Sequence, residues 1–497
     1  MPRRNLYILV FVLALSFVCY HKADSANRAH YEPMFDVFKT AMSQIRDHYL
    51  YKVDERKLFE GAMKGMAAEL DQYSGYSGYE DTRKFDQNLR QEFFGVGIEI
   101  FWDREKKTIT VTSPLAGSPA FKAGIRVGDR ITTIDGVKVD KLTKEDDDPV
   151  KLIQGPESSE VRLGVIHEGE TKEQVVTLVR AQIKTDSVLG DRHTPDGGWD
   201  FTLEADPTIG YIRITDFGDR TVDELAAALQ QCRDKNVRAL ILDLRNNPGG
   251  LLDAAYKVCD FFIKQGVIVT IRERDDKVRE MREATGAAEY TDWPMAVLVN
   301  QFSASASEIV SACLQDHNRA IVVGERTHGK GTVQTPIRLE GGRSMLRLTI
   351  ASYWRPSNEN IHRAKDAPET EKWGVQPDPG YVVKVDEKDL VELLRQRRER
   401  DVLRRPGEKP IVPIASATPP TPEKQETKSA EPPLPSPTGT GVKPSGNDKP
   451  SGERKPTHVT PDDDEEASDS QKTGPAKPLV DLQLVKAVEY LQQKIGR

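Results

Sequence analysis

Two short motifs in the second half of the chain carry residue types that can perform acyl transfer. Residues 303–308 read Ser-Ala-Ser-Ala-Ser-Glu and separate an apolar run from an amphipathic segment. A serine at such a strand-to-helix turn is held exposed, and the free N–H groups of the first helical turn can face a developing oxyanion. Serines at helix starts are most often caps, however, so this motif alone does not establish a nucleophile.

A nucleophilic serine needs a base, and the second motif offers a lysine. None of the nine histidines stands in a recognisable triad motif, whereas Lys330 lies between two glycines before a predicted strand. A lysine acts as a base when burial lowers its pKa, because desolvation disfavours the charged ammonium. Gln334 is close enough along the chain to hold the amine by a hydrogen bond. Gly-Lys-Gly alone is more typical of a surface turn.

A third motif, Asp-Leu-Arg-Asn-Asn-Pro-Gly-Gly at residues 243–250, follows a run predicted to be a buried strand. The two glycines, Gly249 and Gly250, allow backbone N–H groups to be exposed, which suits an oxyanion hole. The alternative is a polar loop that caps the next helix.

Together, residues 242–252, 303–308 and 324–334 resemble the C-terminal processing (tail-specific) peptidases, which are Ser/Lys serine proteases. Lys330 follows Ser305 by 25 residues, as the resemblance requires. It implies that Ser305 is the nucleophile, Lys330 the general base and Gln334 the residue that orients the base. Ser303 and Ser307 are then caps or packing residues.

The resemblance also implies an oxyanion hole made by the Ala306 N–H and by Gly249 or Gly250, and the sequence leaves the choice of glycine open. The chain departs from the family at His328, where an aromatic residue is usual. We interpret His328 as a packing ring, and the alternative is a hydrogen bond that alters the pKa of Lys330.

Residues 93–183 form a predicted β-rich module with short alternating runs and an Asp-Gly hairpin signal at 135–136. Phe94, Gly95, Val96, Gly97 and Ile98 resemble the carboxylate-binding loop of a PDZ domain. Successive N–H groups in such a loop can hold a terminal carboxylate while a peptide adds as a strand. Apolar residues near the groove favour apolar tails, and the alternative is a structural spacer.

The rest of the chain predicts a multidomain protein that combines α+β and α/β regions. Amphipathic spacing predicts a helical region over 31–92, with a loop at 71–79. Strand–helix alternation predicts an α/β core over 184–400, crotonase-like by the resemblance, whose strands include 239–244, 267–271 and 295–299. Residues 405–477 hold nearly half of the 31 prolines and predict a disordered linker, followed by a helix within 478–497.

Residues 1–26 read as a secretory signal, with a basic start and an apolar run, and an uncleaved membrane anchor is the alternative. Val18 before Cys19 fits a lipoprotein poorly. The expected location is therefore extracytoplasmic, in a bacterial periplasm, and possession of an anchor is left open. Cys232, Cys259 and Cys313 have no metal-ligand spacing and predict buried small hydrophobes.

The net charge is −7, from 71 basic and 78 acidic residues, and this composition does not indicate a basic surface for binding nucleic acid. We expect an endopeptidase that needs no metal or cofactor, acts on protein substrates with exposed apolar C-termini, and forms homo-oligomers as some relatives do. Two rival functions stay open: a scaffold that only binds partners through its PDZ-like module, and a crotonase-like enzyme of acyl chemistry.

Overall fold

The computed structural model of the chain describes residues 31–142, 148–365, 367–368, 370–404 and 479–496. The expected signal or anchor at 1–26 and the expected disordered linker at 405–477 lie outside these ranges. Within them, no helix combines the length and the apolar character that a membrane crossing requires.

The N-terminal region contains helices, as predicted, but also one strand. Its elements are α1 (31–48), α2 (Glu55–Ala68), β1 (Gly75–Ser77) and α3 (Tyr79–Arg90). Asp54 caps α2 by accepting the N–H groups of Arg56 and Lys57. The loop predicted at 71–79 was wrong in part, because β1 lies within it and pairs antiparallel with a distant core strand. No local pattern reveals a three-residue strand whose partner lies about 270 residues away.

The β-rich module follows as an antiparallel sheet with its own apolar core. Its elements are β2 (Glu92–Gly95), β3 (Ile98–Asp103), β4 (Thr108–Pro114), α4 (Pro119–Lys122), β5 (Arg130–Ile134), β6 (Val137–Lys138), α5 (Pro149–Ile153), β7 (Glu160–Ile166), β8 (Gln174–Val179) and β9 (Ala181–Lys184). The strand order is β3-β4-β5-β7-β8, with β6 on β5, while β2 pairs separately with β9. Alternation along β7 buries Val161, Leu163 and Val165 on one face.

The core contains a parallel sheet and a second, antiparallel sheet. Its elements are β10 (Val188–Leu189), β11 (Arg192–His193), β12 (Trp199–Asp200), β13 (Thr202–Leu203), β14 (Asp206–Ile214), α6 (Thr221–Asp234), β15 (Ala239–Asp243), α7 (Leu252–Asp260), β16 (Val267–Arg272), β17 (Val278–Glu283), β18 (Met295–Val299), α8 (Ala306–Asp316), β19 (Ile321–Gly324), β20 (Thr332–Leu339), β21 (Ser344–Trp354), α9 (Glu387–Asp401) and α10 (Leu482–Lys494). Strands β14, β15, β18 and β19 are parallel neighbours in that order, and β15 and β18 are buried throughout, which explains their continuous apolar sequences.

One predicted strand lies in a different sheet from its sequence neighbours. Residues 267–271 do form a strand, β16, but it pairs antiparallel with β17 and β21 rather than joining the parallel sheet. The second sheet also includes β20 and β1. An apolar run predicts a strand but does not identify its partner, so strand–helix alternation alone could not separate the two sheets.

Helices cover both faces of the parallel sheet. Helices α6, α7 and α8 pack on one face, whose core includes Leu225, Val258 and Val310. The other face is covered by α10 through Ala487 and Leu491. The apolar residues of α10 are not all buried, because Leu482 and Val485 at its N-terminal end are exposed. The three cysteines that lie in the described residues are buried and free, as predicted.

The topology brings the three chemical motifs together. β15, β18 and β19 are adjacent and parallel, so their carboxyl ends meet at one edge of the sheet. Residues 244–250 follow β15, residues 300–305 follow β18, and residues 325–331 follow β19.

Candidate active site

Ser305 sits at a sharp turn immediately before α8. Its backbone has φ 55° and ψ −112°, a left-handed conformation that costs energy for any residue other than glycine. Gly249 faces this turn so closely that a Cβ placed on it would lie 2.7 Å from the Ser305 Cβ and 3.0 Å from the Ala306 nitrogen. The requirement for glycine at 249 therefore follows from its approach to Ser305.

Glu308, three residues after Ser305, is fully buried and binds both motifs. Its Oε2 accepts the backbone N–H groups of Ser305 and Lys330, each at 2.8 Å. Its Oε1 accepts the Gly329 N–H at 2.7 Å and the Thr327 hydroxyl at 2.6 Å. Complete burial raises the pKa of Glu308 to about 7, although the four donors favour the ionised form.

Lys330 is half-buried in the same site. Burial lowers its pKa, the positive charge of Arg347 adds to this, and Glu308 opposes it. Its Nζ lies 5.3 Å from the centroid of the Tyr73 ring. Within the described residues, Nζ makes no hydrogen bond with Ser305, so the two side chains share the site without being joined.

Gln334 lies on β20, but the structure does not bring its side chain into a hydrogen bond with Lys330. Its Nε2 donates instead to Thr332 Oγ1 at 2.8 Å and to Thr349 Oγ1 at 3.2 Å. A register shift between Val333 and Gln334 accompanies this orientation.

The two candidate oxyanion glycines differ in their surroundings. The Gly249 N–H donates to Asn247 Oδ1 at 2.8 Å, so it is already used within the loop. The Gly250 N–H has no such partner among the described residues, and a Cβ on Gly250 would lie 2.2 Å from the Phe217 carbonyl oxygen. Ala306 is the first residue of α8, where backbone N–H groups have no partner within the helix.

The other serines of the motif attach the loop of residues 244–250 to α8 and to the turn before it. Ser303 Oγ donates to the Leu244 carbonyl at 2.8 Å, and Ser307 Oγ donates to the Asn247 carbonyl at 3.0 Å. Both side chains are buried. The backbone N–H of His328 donates to the Ser303 carbonyl at 3.0 Å. The residue is exposed rather than packed as a ring in the core, and partial desolvation and the positive charge of Lys330 lower the pKa of its ring.

Sequence reasoning missed three residues of this site. Glu308 had a local signal, since Ser-x-x-Glu is the capping-box pattern. Tyr73 and Tyr353 had none, because they come from distant segments. Tyr353 is buried on β21 near the Ser305 side chain, and burial raises its pKa to about 12.

The predicted carboxylate-binding loop borders a small apolar groove of about 80 Å³, lined by Phe93, Gly95, Val96, Gly97, Ile98, Ile100, Val150, Ile153 and Gln154. The Val96 carbonyl accepts the Ala120 N–H, and the Gly97 carbonyl accepts the Leu115 N–H. These bonds turn the loop carbonyls toward the body of the module. Phe94 does not line the groove and pairs with Gln182 between β2 and β9.

Three family models match successive segments of the chain. The model of peptidase family S41 matches residues 208–379, that of the PDZ domain matches 110–166, and that of the activating protease CtpB N-terminal domain matches 18–83.

Within the described residues, no cluster of three or more His, Cys, Asp or Glu side chains could hold a metal ion.

The chain is also similar to curated carboxy-terminal processing proteases. A carboxy-terminal-processing protease of Bartonella bacilliformis is 34% identical over 399 residues, which cover 79% of this chain and 88% of that protein. The carboxy-terminal processing protease CtpA of Bacillus subtilis is 34% identical over 330 residues, covering 66% and 67%. Among solved structures, a photosystem II D1 C-terminal processing protease is 29% identical, with a TM-score of 0.39 over 70% of this chain and 86% of that one.

Proposed function

The chain belongs to the C-terminal processing proteases of peptidase family S41, and from this premise we propose that Ser305 and Lys330 form its catalytic dyad. The observation that carries this proposal is the shared carboxylate of Glu308, which holds the backbone of both residues at the carboxyl edge of the sheet. Burial that lowers the pKa of Lys330 supports its role as a base at neutral pH. The enzyme is a serine-type peptidase, and the Ser305/Lys330 dyad is our proposal for its catalytic residues.

The proposed reaction proceeds through an acyl-enzyme. Neutral Lys330 takes the proton of Ser305, and Oγ attacks the peptide carbonyl carbon. The tetrahedral oxyanion is stabilised by the N–H groups of Ala306 and Gly250. We choose Gly250 over Gly249 because the Gly249 N–H already donates a hydrogen bond to Asn247. Lys330 then donates the proton to the leaving amine, and it later activates the water that hydrolyses the ester.

We propose further that the PDZ domain selects substrates by their tails. The apolar groove beside residues 95–98 suits the last side chain of an unstructured, apolar C-terminus, and the loop N–H groups suit its carboxylate. Binding the tail raises the effective concentration of the rest of the substrate at Ser305. This module distinguishes the protease from crotonase-like acyl chemistry on a related core, since a small acyl substrate does not need a peptide groove.

The location and assembly of the protein are further proposals. We propose an extracytoplasmic, periplasmic protein, since residues 1–26 read as a signal or anchor. Homo-oligomerisation is supported by α1, which leaves Met34, Phe35 and Val37 mostly exposed.

The test is proteolysis of one unfolded model substrate that ends in either an apolar or a doubly acidic tail. Wild type, Ser305→Ala and Lys330→Ala are compared at equal concentration. We expect only wild type to cut, with a preference for the apolar tail. Equal cutting of both tails contradicts tail selection, and full activity of either variant contradicts the dyad. Binding of the apolar tail without any cleavage favours the scaffold function instead.

A further inference from the structure

Tyr73 belongs to the N-terminal region, yet its ring lies in the proposed active site. The ring centroid is 5.3 Å from Lys330 Nζ and 6.2 Å from the centroid of the His362 ring, which it meets edge-on. Nζ has no hydrogen-bond partner among the described residues, and the Tyr73 ring is a side-chain contact that can restrict the amine.

The loop that carries Tyr73 is held firmly. Asp71 Oδ1 accepts the N–H groups of Tyr73 and Ser74, both at 2.7 Å, and Asp71 Oδ2 accepts the Ser74 hydroxyl at 2.9 Å. β1 then continues from this loop and pairs with β21, with Gly75 opposite Arg347. The position of the Tyr73 ring is therefore determined by the core as well as by its own turn.

Gln334 is connected to this loop through Thr349. The Thr349 N–H donates to Ser74 Oγ at 3.1 Å, and its hydroxyl donates to Asp71 Oδ1 at 3.3 Å. Gln334 Nε2 donates to the same Thr349 hydroxyl at 3.2 Å. Gln334 thus supports the segment that carries Tyr73, although it makes no hydrogen bond with Lys330.

We propose that Tyr73 is the positioning residue for Lys330, and that residues 71–77 of the N-terminal region are part of the catalytic unit. This inference rests on the proposed Ser305/Lys330 dyad. A lysine side chain has a large rotamer entropy, and a ring on one side reduces the conformations that the amine can sample. The ring face also replaces water beside the amine with a weak π acceptor.

Several charged or titratable groups surround Lys330, and they determine the expected pH effect. Arg347 lies on β21, Glu308 on α8, His328 on the same loop as Lys330, and Arg363 near the His328 and Tyr73 rings. Burial is the largest cause of the lowered pKa of Lys330, and Arg347 adds to it. Removing the Tyr73 ring admits water, so the pKa of Lys330 should rise toward its ordinary value.

The test measures how fast a fluorophosphonate probe labels the full chain between pH 6 and about pH 10, near the ordinary lysine pKa. In this reaction the Ser305 Oγ–P bond forms, the P–F bond breaks, fluoride leaves and Lys330 receives the proton. The variants are Tyr73→Phe and Tyr73→Leu, and the control is Tyr79→Leu, an exposed tyrosine of the same region. Thermal melting of each variant is measured alongside.

We expect Tyr73→Phe and Tyr79→Leu to label as wild type does. Tyr73→Leu should label roughly tenfold more slowly because the base is less well positioned. Its pH midpoint should move up by about 1 unit as water reaches Lys330. A Tyr73→Leu rate and midpoint equal to wild type, or a faster rate, overturn the inference.

Two further results separate this inference from the dyad proposal. Wild type that is not labelled, or Ser305→Ala that is labelled, contradicts the dyad itself. If Tyr73→Leu does not fold, Thr349→Val replaces it, because that change keeps the ring and removes the hydroxyl between Gln334 and Asp71. Labelling by Thr349→Val should be several-fold slower, and an unchanged rate overturns the inference.

Discussion

The backbone N–H groups of Ser305 and Lys330 donate to the same carboxylate oxygen, Glu308 Oε2, each at 2.8 Å. The two residues come from the ends of different strands, and this shared acceptor fixes the distance between their backbones. A buried carboxylate with four donors is costly to disturb, because every donor loses its partner at once. Glu308 therefore connects the stability of the core to the geometry of the proposed dyad.

The first prediction concerns Glu308→Gln. An amide offers one acceptor oxygen, so two of the four donors would face an NH₂ group. We expect the free energy of unfolding to fall by about 2–3 kcal/mol, together with most of the activity. Urea denaturation and probe labelling measure the two effects. Glu289→Gln, at an exposed position, is the matched control, and a Glu308→Gln protein as stable as this control contradicts the prediction.

The second prediction is that Lys330→Met makes the folded protein more stable while it abolishes activity. Burial lowers the pKa of Lys330, so the folded state disfavours its protonated form. Above the ordinary lysine pKa of 10.5, Lys330 imposes no electrostatic cost on the folded state. As the pH falls from 10.5 through the pKa of Lys330 in the folded protein, the unfolded chain gains a proton that the folded state disfavours, so stability is lost. Lys330→Met should therefore melt higher than wild type at pH 7.

This gain in melting temperature should shrink as the pH approaches 10.5, since the lysine is then mostly neutral in the folded state and only half protonated in the unfolded state. Lys257→Met replaces an exposed lysine and is the control. A gain that stays constant between pH 7 and 10.5 would mean that packing, rather than the charge of Lys330, is responsible.

The third prediction concerns Tyr353→Phe. The Tyr353 hydroxyl lies near the Ser305 side chain, and we expect it to orient Oγ through a hydrogen bond during the reaction. We expect probe labelling to slow by roughly three- to tenfold, as for the loss of one neutral hydrogen bond. Tyr256→Phe, whose hydroxyl bonds to the Glu283 carbonyl, should label at the wild-type rate. Equal rates for the two variants would exclude a role for Tyr353 in orienting Ser305.

The fourth prediction concerns Asp481, which connects α10 to the loop that carries the oxyanion glycines. Both oxygens of Asp481 accept hydrogen bonds from Arg245 Nη1, at 2.9 and 3.0 Å, and Asp481 also caps α10 through the Leu484 N–H. Asp481→Asn keeps a good cap and removes the charge. We expect a loss of about 1–3 kcal/mol in unfolding free energy, with slower labelling.

The matched control for Asp481→Asn is Glu489→Gln, a charge removal on the exposed side of the same helix. An Asp481→Asn protein that matches this control in both stability and labelling would show that α10 does not support the loop.

The fifth prediction separates tail selection from chemistry. Val150 lines the apolar groove of the PDZ domain and is partly exposed. An aspartate there repels the tail carboxylate and is poorly matched to an apolar side chain. Val150→Asp should therefore cut the apolar-tailed substrate at least roughly tenfold more slowly, with normal probe labelling.

Leu152→Asp is the control for Val150→Asp, because Leu152 lies on the same short helix but does not line the groove. If both variants cut the apolar-tailed substrate as fast as wild type does, the groove does not recognise the C-terminus of the substrate.

The motifs of the proposed site could be recognised in the sequence because each lies within one short segment. Ser305, Lys330 and the glycine pair each lie in a short segment that follows a strand, and parallel strands bring their carboxyl ends to one edge. The same locality explains the correct prediction of β18 at 295–299. The partner strands of β16 were not predictable, because an apolar run does not indicate which strand it will pair with.

By itself, the sequence determined the family, the order of the modules and the residue types that can carry out acyl transfer, because these depend on local patterns and spacing. Tertiary structure decided that the Gly249 N–H is occupied by Asn247 and that Gln334 bonds to Thr349 rather than to Lys330. It also decided that Tyr73 and Tyr353, far apart in the chain, meet Lys330 and Ser305. Those contacts arise from the pairing of β1 with β21 and from close packing, and no periodicity in the chain encodes them.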